Sequence, residues 1–169
     1  MLNVGKIEEG FVLDHIKAGK SLSIYHDLKL DRLDCTVAII KNARSNKMGK
    51  KDILKVECDI DMLDLDILGF IDHNITVNVI KDGEIVEKKD LVLPKEVRNI
   101  IKCKNPRCIT SIEQELTHIF VLTDPDKEIY RCKYCEEMYS EHMRSGRQIN
   151  YRAIRKYKKM SGTVSRVLS

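Results

Sequence analysis

The chain has 169 residues, 43% hydrophobic and 33% charged, a balance that allows one or two small domains and excludes general disorder. No apolar run reaches the length of a membrane span and no signal-peptide pattern opens the chain, so the protein is expected in the cytoplasm with no membrane partner. Its net charge of +4 is unevenly placed: residues 1–139 hold 22 Lys/Arg against 25 Asp/Glu, whereas residues 140–169 hold eight against one, so nucleic-acid binding could rest only on the terminal segment.

In chain order, residues 4–16 form an apolar, β-branched stretch (Val4, Ile7, Phe11, Val12, Leu13, Ile16) that predicts a strand. Lys20 to Leu30 follows with Leu22, Tyr25 and Leu28 near helical spacing. Thr36 to Ile40 reads as a short buried strand, Asn42 to Gly49 as a polar turn, and Asp52 to Cys58 as another strand with Ile53 and Val56 prominent. Asp61 to Ile71 predicts a second helix, with Leu63, Ile67, Leu68 and Ile71 on one side. Ile75–Ile80 and Ile85–Val86 flank Lys81-Asp82-Gly83, a hairpin signal in which Gly83 supplies positive φ.

Strand, helix, strand, strand, helix, strand, strand is the split βαβ pattern. It predicts an α+β, ferredoxin-like domain with two helices on one face of an antiparallel sheet. Leu91 to Arg98, with Pro94 inside, reads as a connection. The expected division is residues 1–95, then a small β-rich module over 96–139, then a basic extension over 140–169.

The second module is marked by cysteine spacing. Cys103-Lys-Asn-Pro-Arg-Cys108, then 23 residues, then Cys132-Lys-Tyr-Cys135 suits four thiolates wrapped around one Zn²⁺. Four thiolates leave no open position, so such a metal holds structure and activates no water. Disulfides are the alternative, but nothing else suggests secretion, and Cys35 and Cys58 outside the quartet suit a reducing compartment. A module this small draws much of its folding energy from its metal.

Other motifs fail. Asp59, Asp61, Asp64 and Asp66 resemble a calcium loop, but its sixth position would be Asp64 instead of Gly and its twelfth Phe70 instead of Glu. They read as acids at a helix start. Among His15, His26, His73, His118 and His142 no metal-binding spacing occurs, and no phosphate loop or nucleophile elbow is present. Catalytic machinery is not visible.

The whole pattern resembles the regulatory chains of aspartate carbamoyltransferase. The resemblance covers residues 4–139. It rests on Val-Leu-Asp14-His15-Ile, Met48-Gly-Lys-Lys-Asp-Ile-Leu-Lys55-Val-Glu, Ile-Thr-Val-Asn78-Val-Ile80, Leu93-Pro94, the Cys103/Cys108 pair and Cys132-Lys-Tyr-Cys135-Glu136. It implies a non-enzymatic chain in pyrimidine biosynthesis that binds CTP as inhibitor and ATP as activator. It also implies pairing with a second regulatory chain, docking on the catalytic chain through the zinc domain, and bridging of catalytic chains. Asp14 and His15 match the nucleotide-site pair, Lys55 a lysine that reads ribose and base, Asn78 and Ile80 positions beside the base, Ile85 an apolar wall, and Lys88 the main phosphate lysine. Asn105 and Glu136 match positions that touch the catalytic chain, where Arg107 replaces an amide. Gly83 stands where the family often has an aromatic residue.

The family usually ends soon after the last cysteine pair, whereas this chain continues from Ser140 to Ser169, with a short basic helix expected over Arg147 to Met160. A zinc-ribbon nucleic-acid module using that tail is the competing function, and a small metalloenzyme would require an open metal position.

Overall fold

Alternating apolar residues in the first half of the chain build one antiparallel sheet. The computed structural model describes residues 5–140, and the helix expected over 147–160 lies outside the described residues. The chain divides into two compact units between Leu93 and Pro94. The first contains β1 (Gly10–Lys17), α1 (Ser21–Asp27), β2 (Thr36–Ser45), β3 (Gly49–Glu57), α2 (Leu65–Ile71), β4 (Thr76–Lys81) and β5 (Glu84–Asp90). Its strand order is β2-β3-β1-β4-β5, with every neighbouring pair antiparallel. That is the ferredoxin-like sheet with β5 folded back on β4.

Phe11 and Leu13 of β1, Leu54 and Val56 of β3 and Val77 of β4 face one core, joined by Ile24 of α1 and Leu68 of α2. Both helices therefore bury their apolar stripes against the same sheet face. Asp64 caps α2 by accepting from the Ile67 amide at 3.1 Å, and Asp59 accepts from the Asp61 amide at 3.1 Å at a preceding 3₁₀ turn, Ile60–Met62. The aspartates thus serve helix starts, as the sequence suggested. The β4–β5 turn places Asp82 at φ 52° and Gly83 at φ 74°, the two positive angles of a type I′ hairpin.

Three local expectations are corrected. In α1 the inward residues are Ser21 and Ile24, while Leu22 is 48% exposed. The helix is rotated because the buried Ser21 hydroxyl is held by Asp52. β2 does not stop at Ile40: it runs to Ser45 through a bulge at Ile40/Ala43, with Asn42 at φ 58°. In β3 the inward residues are Asp52, Leu54 and Val56, with Ile53 on the other face.

The second unit contains β6 (Glu96–Arg98), the one-turn α3 (Ile109–Ile112), β7 (Ile119–Asp124), β8 (Ile129–Cys132) and β9 (Met138–Tyr139), the strands lying in that order in an antiparallel sheet. Residues 96–98, expected as connection, are a strand because β7 supplies partners from Glu96↔Val121 to Arg98↔Ile119. Val97, Ile100, Ile101, Phe120 and Tyr130 are buried, and the Tyr130 hydroxyl donates to the Pro94 carbonyl at 2.6 Å.

Candidate effector site and metal centre

Directly opposed residues of a sheet share a face. Register places Lys55 opposite Val12, Val12 opposite Asn78, and Asn78 opposite Lys88. These form one row across four strands, on the face turned away from the core. Ile80 lies two residues further along β4 and pairs with Ile85. In a regular strand Ile85 and Lys88, three apart, would face opposite ways. The bulge between Val79 and Ile80 in the β4–β5 ladder brings both to the same side.

A second bulge serves Asp14 and His15. β1 has one residue more than β3 between Leu13↔Leu54 and Ile16↔Asp52. Leu13 and Ile16 are thereby both buried in the core, and Asp14 and His15 lie between them outside it. His15 takes φ 61°, and its amide donates to Asp14 Oδ1 at 2.7 Å. The seven sequence-predicted residues of the first unit thus come together on one sheet face and its margin.

Lys51 was missed. Its Nζ lies 2.8 Å from Asp14 Oδ1 and 3.0 Å from Oδ2. Burial alone would raise the Asp14 carboxyl, but the Lys51 hydrogen bond and charge, with the His15 amide, hold it below the usual range. Strand alternation from Lys55 to Lys51 was the available signal. A cavity of about 780 Å³ adjoins His15, lined also by Lys17, Met48, Lys50, Asp72 and Asn74. Two polar atoms, Nδ1 of His15 on the cavity lining and Oδ1 of Asn78 in the cross-strand row, are buried with no hydrogen-bond partner among the described residues. Buried polar atoms are usually satisfied, so each of these two calls for a partner from water or a ligand.

In the second unit the four sulfurs of Cys103, Cys108, Cys132 and Cys135 lie within 4.8 Å of one another. Cys103 and Cys135 sulfurs are 3.5 Å apart and those of Cys108 and Cys132 3.8 Å apart, and all four cysteines are free of disulfides. A metal–sulfur bond of about 2.3 Å gives tetrahedral edges near 3.8 Å, so the set fits a single tetrahedral ion.

Burial raises the Cys103 and Cys132 thiols on balance, and peptide groups oppose it by favouring the thiolate form. The Asn105 amide bonds to Cys103, the Thr110 amide to Cys108, and the Cys135 and Tyr134 amides to Cys132. Burial would raise the Cys108 thiol, but the Thr110 hydroxyl at 3.1 Å and the Thr110 amide bring it down to about 7. His118 supports the first turn, its Nδ1 accepting from the Cys103 amide at 3.2 Å. Burial, then the Lys102 charge, lowers its pKa, so the ring stays neutral and able to accept.

Of the predicted interface residues, Arg107 and Glu136 are exposed and Asn105 is half-buried. Asn105 is also structural: its Oδ1 accepts from the Arg107 amide at 3.0 Å, closing the turn between the first two cysteines. Glu136 takes φ 63° and its amide bonds to the Cys132 carbonyl at 2.8 Å, closing the second turn.

Among the described residues no helix is long and apolar enough to cross a membrane. Residues 2–92 match the family model described as aspartate carbamoyltransferase regulatory chain, allosteric domain, and residues 95–144 match the metal binding domain of the same chain. A curated aspartate carbamoyltransferase regulatory chain of Clostridium tetani is 49% identical over 142 residues, covering 82% of this chain and 96% of its own length. That of Clostridium botulinum is 51% identical over 140 residues, covering 83% and 95%. That of Bifidobacterium longum is 43% identical over 136 residues, covering 80% and 97%.

Proposed function

The chain belongs to the family of aspartate carbamoyltransferase regulatory chains, a non-catalytic subunit with allosteric and metal-binding domains, and from this premise we propose that it binds CTP and ATP on the exposed face of its first sheet. The observation that carries this reading is the row Lys55–Val12–Asn78–Lys88 with the Ile80–Ile85 pair beside it. Apolar Val12, Ile80 and Ile85 offer a surface for a base. The Asn78 side-chain amide, whose Oδ1 has no protein partner, can accept from the exocyclic amine of cytosine or adenine and can donate from Nδ2 to a base acceptor. Lys88, His15 and Lys51 supply charge and donors for a triphosphate, and Lys55 for the sugar. Asp14 orients Lys51.

The four thiolates hold one structural Zn²⁺ in this reading, because a closed tetrahedral set of sulfurs is the donor chemistry that ion prefers. The metal-binding domain docks on the catalytic chain, with Asn105, Arg107 and Glu136 in the contact. Exposed Ile109, Ile112, Tyr134 and Met138 supply the apolar area such a contact needs. β2 ends the first sheet, and its ten residues present an outer edge suited to pairing with a second regulatory chain. Paired regulatory chains then bridge catalytic chains. The nucleotides act by differential affinity for two states of the assembly, without chemistry.

The test compares CTP with cytidine on wild type and Lys88→Ala by calorimetry. Losing one charge-assisted contact costs about 1.5–3 kcal/mol of triphosphate affinity. Cytidine binding stays unchanged. Equal loss for nucleoside and triphosphate removes Lys88 from the phosphate site.

A further inference from the structure

Two cysteines outside the metal set meet at one end of the first sheet. The β2–β3 ladder has its last paired residues at Thr36↔Glu57. Cys35 and Cys58 stand one step beyond, facing each other on adjoining strand ends. Alternation puts them on the same side as the Val37↔Val56 pair, and both pack against the core. Both are half-buried, so a small reagent can reach them. The Cys58 thiol donates to Met62 Sδ at 3.0 Å, which holds its side chain on this side of the strand.

Opposed residues of an antiparallel pair have Cα atoms about 4.5–5.5 Å apart, inside the disulfide range of about 4.4–6.8 Å. The hydrogen bond between the Cys35 and Cys58 thiols, then burial, then the charges of Cys58 and Asp34, push Cys35 up to about 11. Cys35 keeps its proton, so attack on an external disulfide falls first to Cys58.

We propose that Cys35 and Cys58 form a redox-modification site, a cross-strand dithiol that a low-molecular-weight disulfide converts to an intramolecular disulfide. In the first step the Cys58 thiolate attacks one sulfur of the reagent, forming a mixed disulfide and expelling one thiolate. Cys35 then releases its proton to water and attacks the Cys58 sulfur, expelling the second thiolate. Two protein thiols are oxidised and one reagent disulfide is reduced to two thiols. The product ties the start of β2 to the end of β3, a constraint that stabilises the first unit by shortening the unfolded chain's free loop. The four cysteines of the second unit are shielded when their thiolates are engaged by metal. This inference does not depend on the nucleotide reading.

The test treats the full chain, loaded with zinc, with oxidised glutathione and maps disulfides by mass spectrometry of peptides made without reduction. Wild type should give a Cys35–Cys58 cross-linked peptide, lose two free thiols, retain its metal and melt at a higher temperature. Cys35→Ser should trap the Cys58–glutathione adduct, at least about tenfold more abundant than in wild type because the resolving thiol is gone. Cys58→Ser should react slowly, at Cys35 alone. A persistent Cys58 adduct in wild type, or first modification at Cys103 or Cys135 with metal release, overturns the proposal. The wild-type peptide map decides even where a variant folds poorly.

Discussion

Asp52 is fully buried, and its carboxylate ties three segments together. Oδ2 accepts from the Ser21 hydroxyl at 2.7 Å, the Gly19 amide at 2.9 Å and the Ser21 amide at 3.3 Å, while Oδ1 accepts from the Asn42 amide at 2.9 Å. Asp52→Ala strands all four donors. Gly19 and Asn42 are exposed, so water can replace the acceptor there. Ser21 is buried, and each stranded buried donor costs about 1–3 kcal/mol. We expect a loss of about 2–6 kcal/mol, a large part of a domain's stability of about 5–15 kcal/mol. Asp52→Asn keeps one oxygen but turns an amide NH₂ toward a donor in either orientation, and should cost about 1–3 kcal/mol.

Burial alone would raise the Asp52 carboxyl. The Ser21 hydroxyl and the Asn42, Gly19 and Ser21 amides outweigh it and hold the folded pKa below the ordinary value. A depressed carboxyl contributes stability that is fully present above the unfolded pKa of about 3.9 and lost as pH falls through the lower folded value. The gap between wild type and Asp52→Asn should therefore be constant above pH about 5 and shrink below about 4. Urea unfolding followed by far-UV circular dichroism at each pH measures both. A change under about 0.5 kcal/mol for Asp52→Ala, or a gap unchanged by acid, would refute the reasoning.

Cys135→Ser should abolish stoichiometric metal binding and unfold the second unit while the first retains its nucleotide affinity; metal analysis with calorimetry checks both, and one bound zinc in the variant would count against the four-sulfur site. Gly10→Ala should destabilise the first unit by about 1–3 kcal/mol, since the added Cβ would run into the Val56 carbonyl oxygen; thermal melts of the two proteins give the difference. Deleting residues 140–169 should leave metal content and CTP affinity unchanged. Loss of the nucleotide response on reconstitution with a catalytic chain would instead make the basic tail a functional element.

The metal centre was legible in the sequence because its four ligands sit in two short turns, where spacing alone nearly dictates geometry. Element order was legible for a similar reason: apolar alternation and helical stripes are local signals, as are the Asp82-Gly83 turn and the capping aspartates. The resemblance supplied the candidate nucleotide residues, but not why residues of different parity share one face. That was decided by pairing between strands far apart in the chain. The β1 bulge puts Asp14 and His15 together outside the core, and the β4–β5 bulge turns Ile85 to the side of Lys88. Both depend on counting residues in a partner strand, which periodicity within one strand cannot reveal. In sequence Asp52 is only the first residue of a predicted strand, and Leu22 one of three residues near helical spacing, yet the acid is buried and the leucine exposed. Their places are exchanged because Gly19, Ser21 and Asn42 aim donors at a single point inside the fold, and a buried carboxylate that satisfies them outweighs the burial of one leucine.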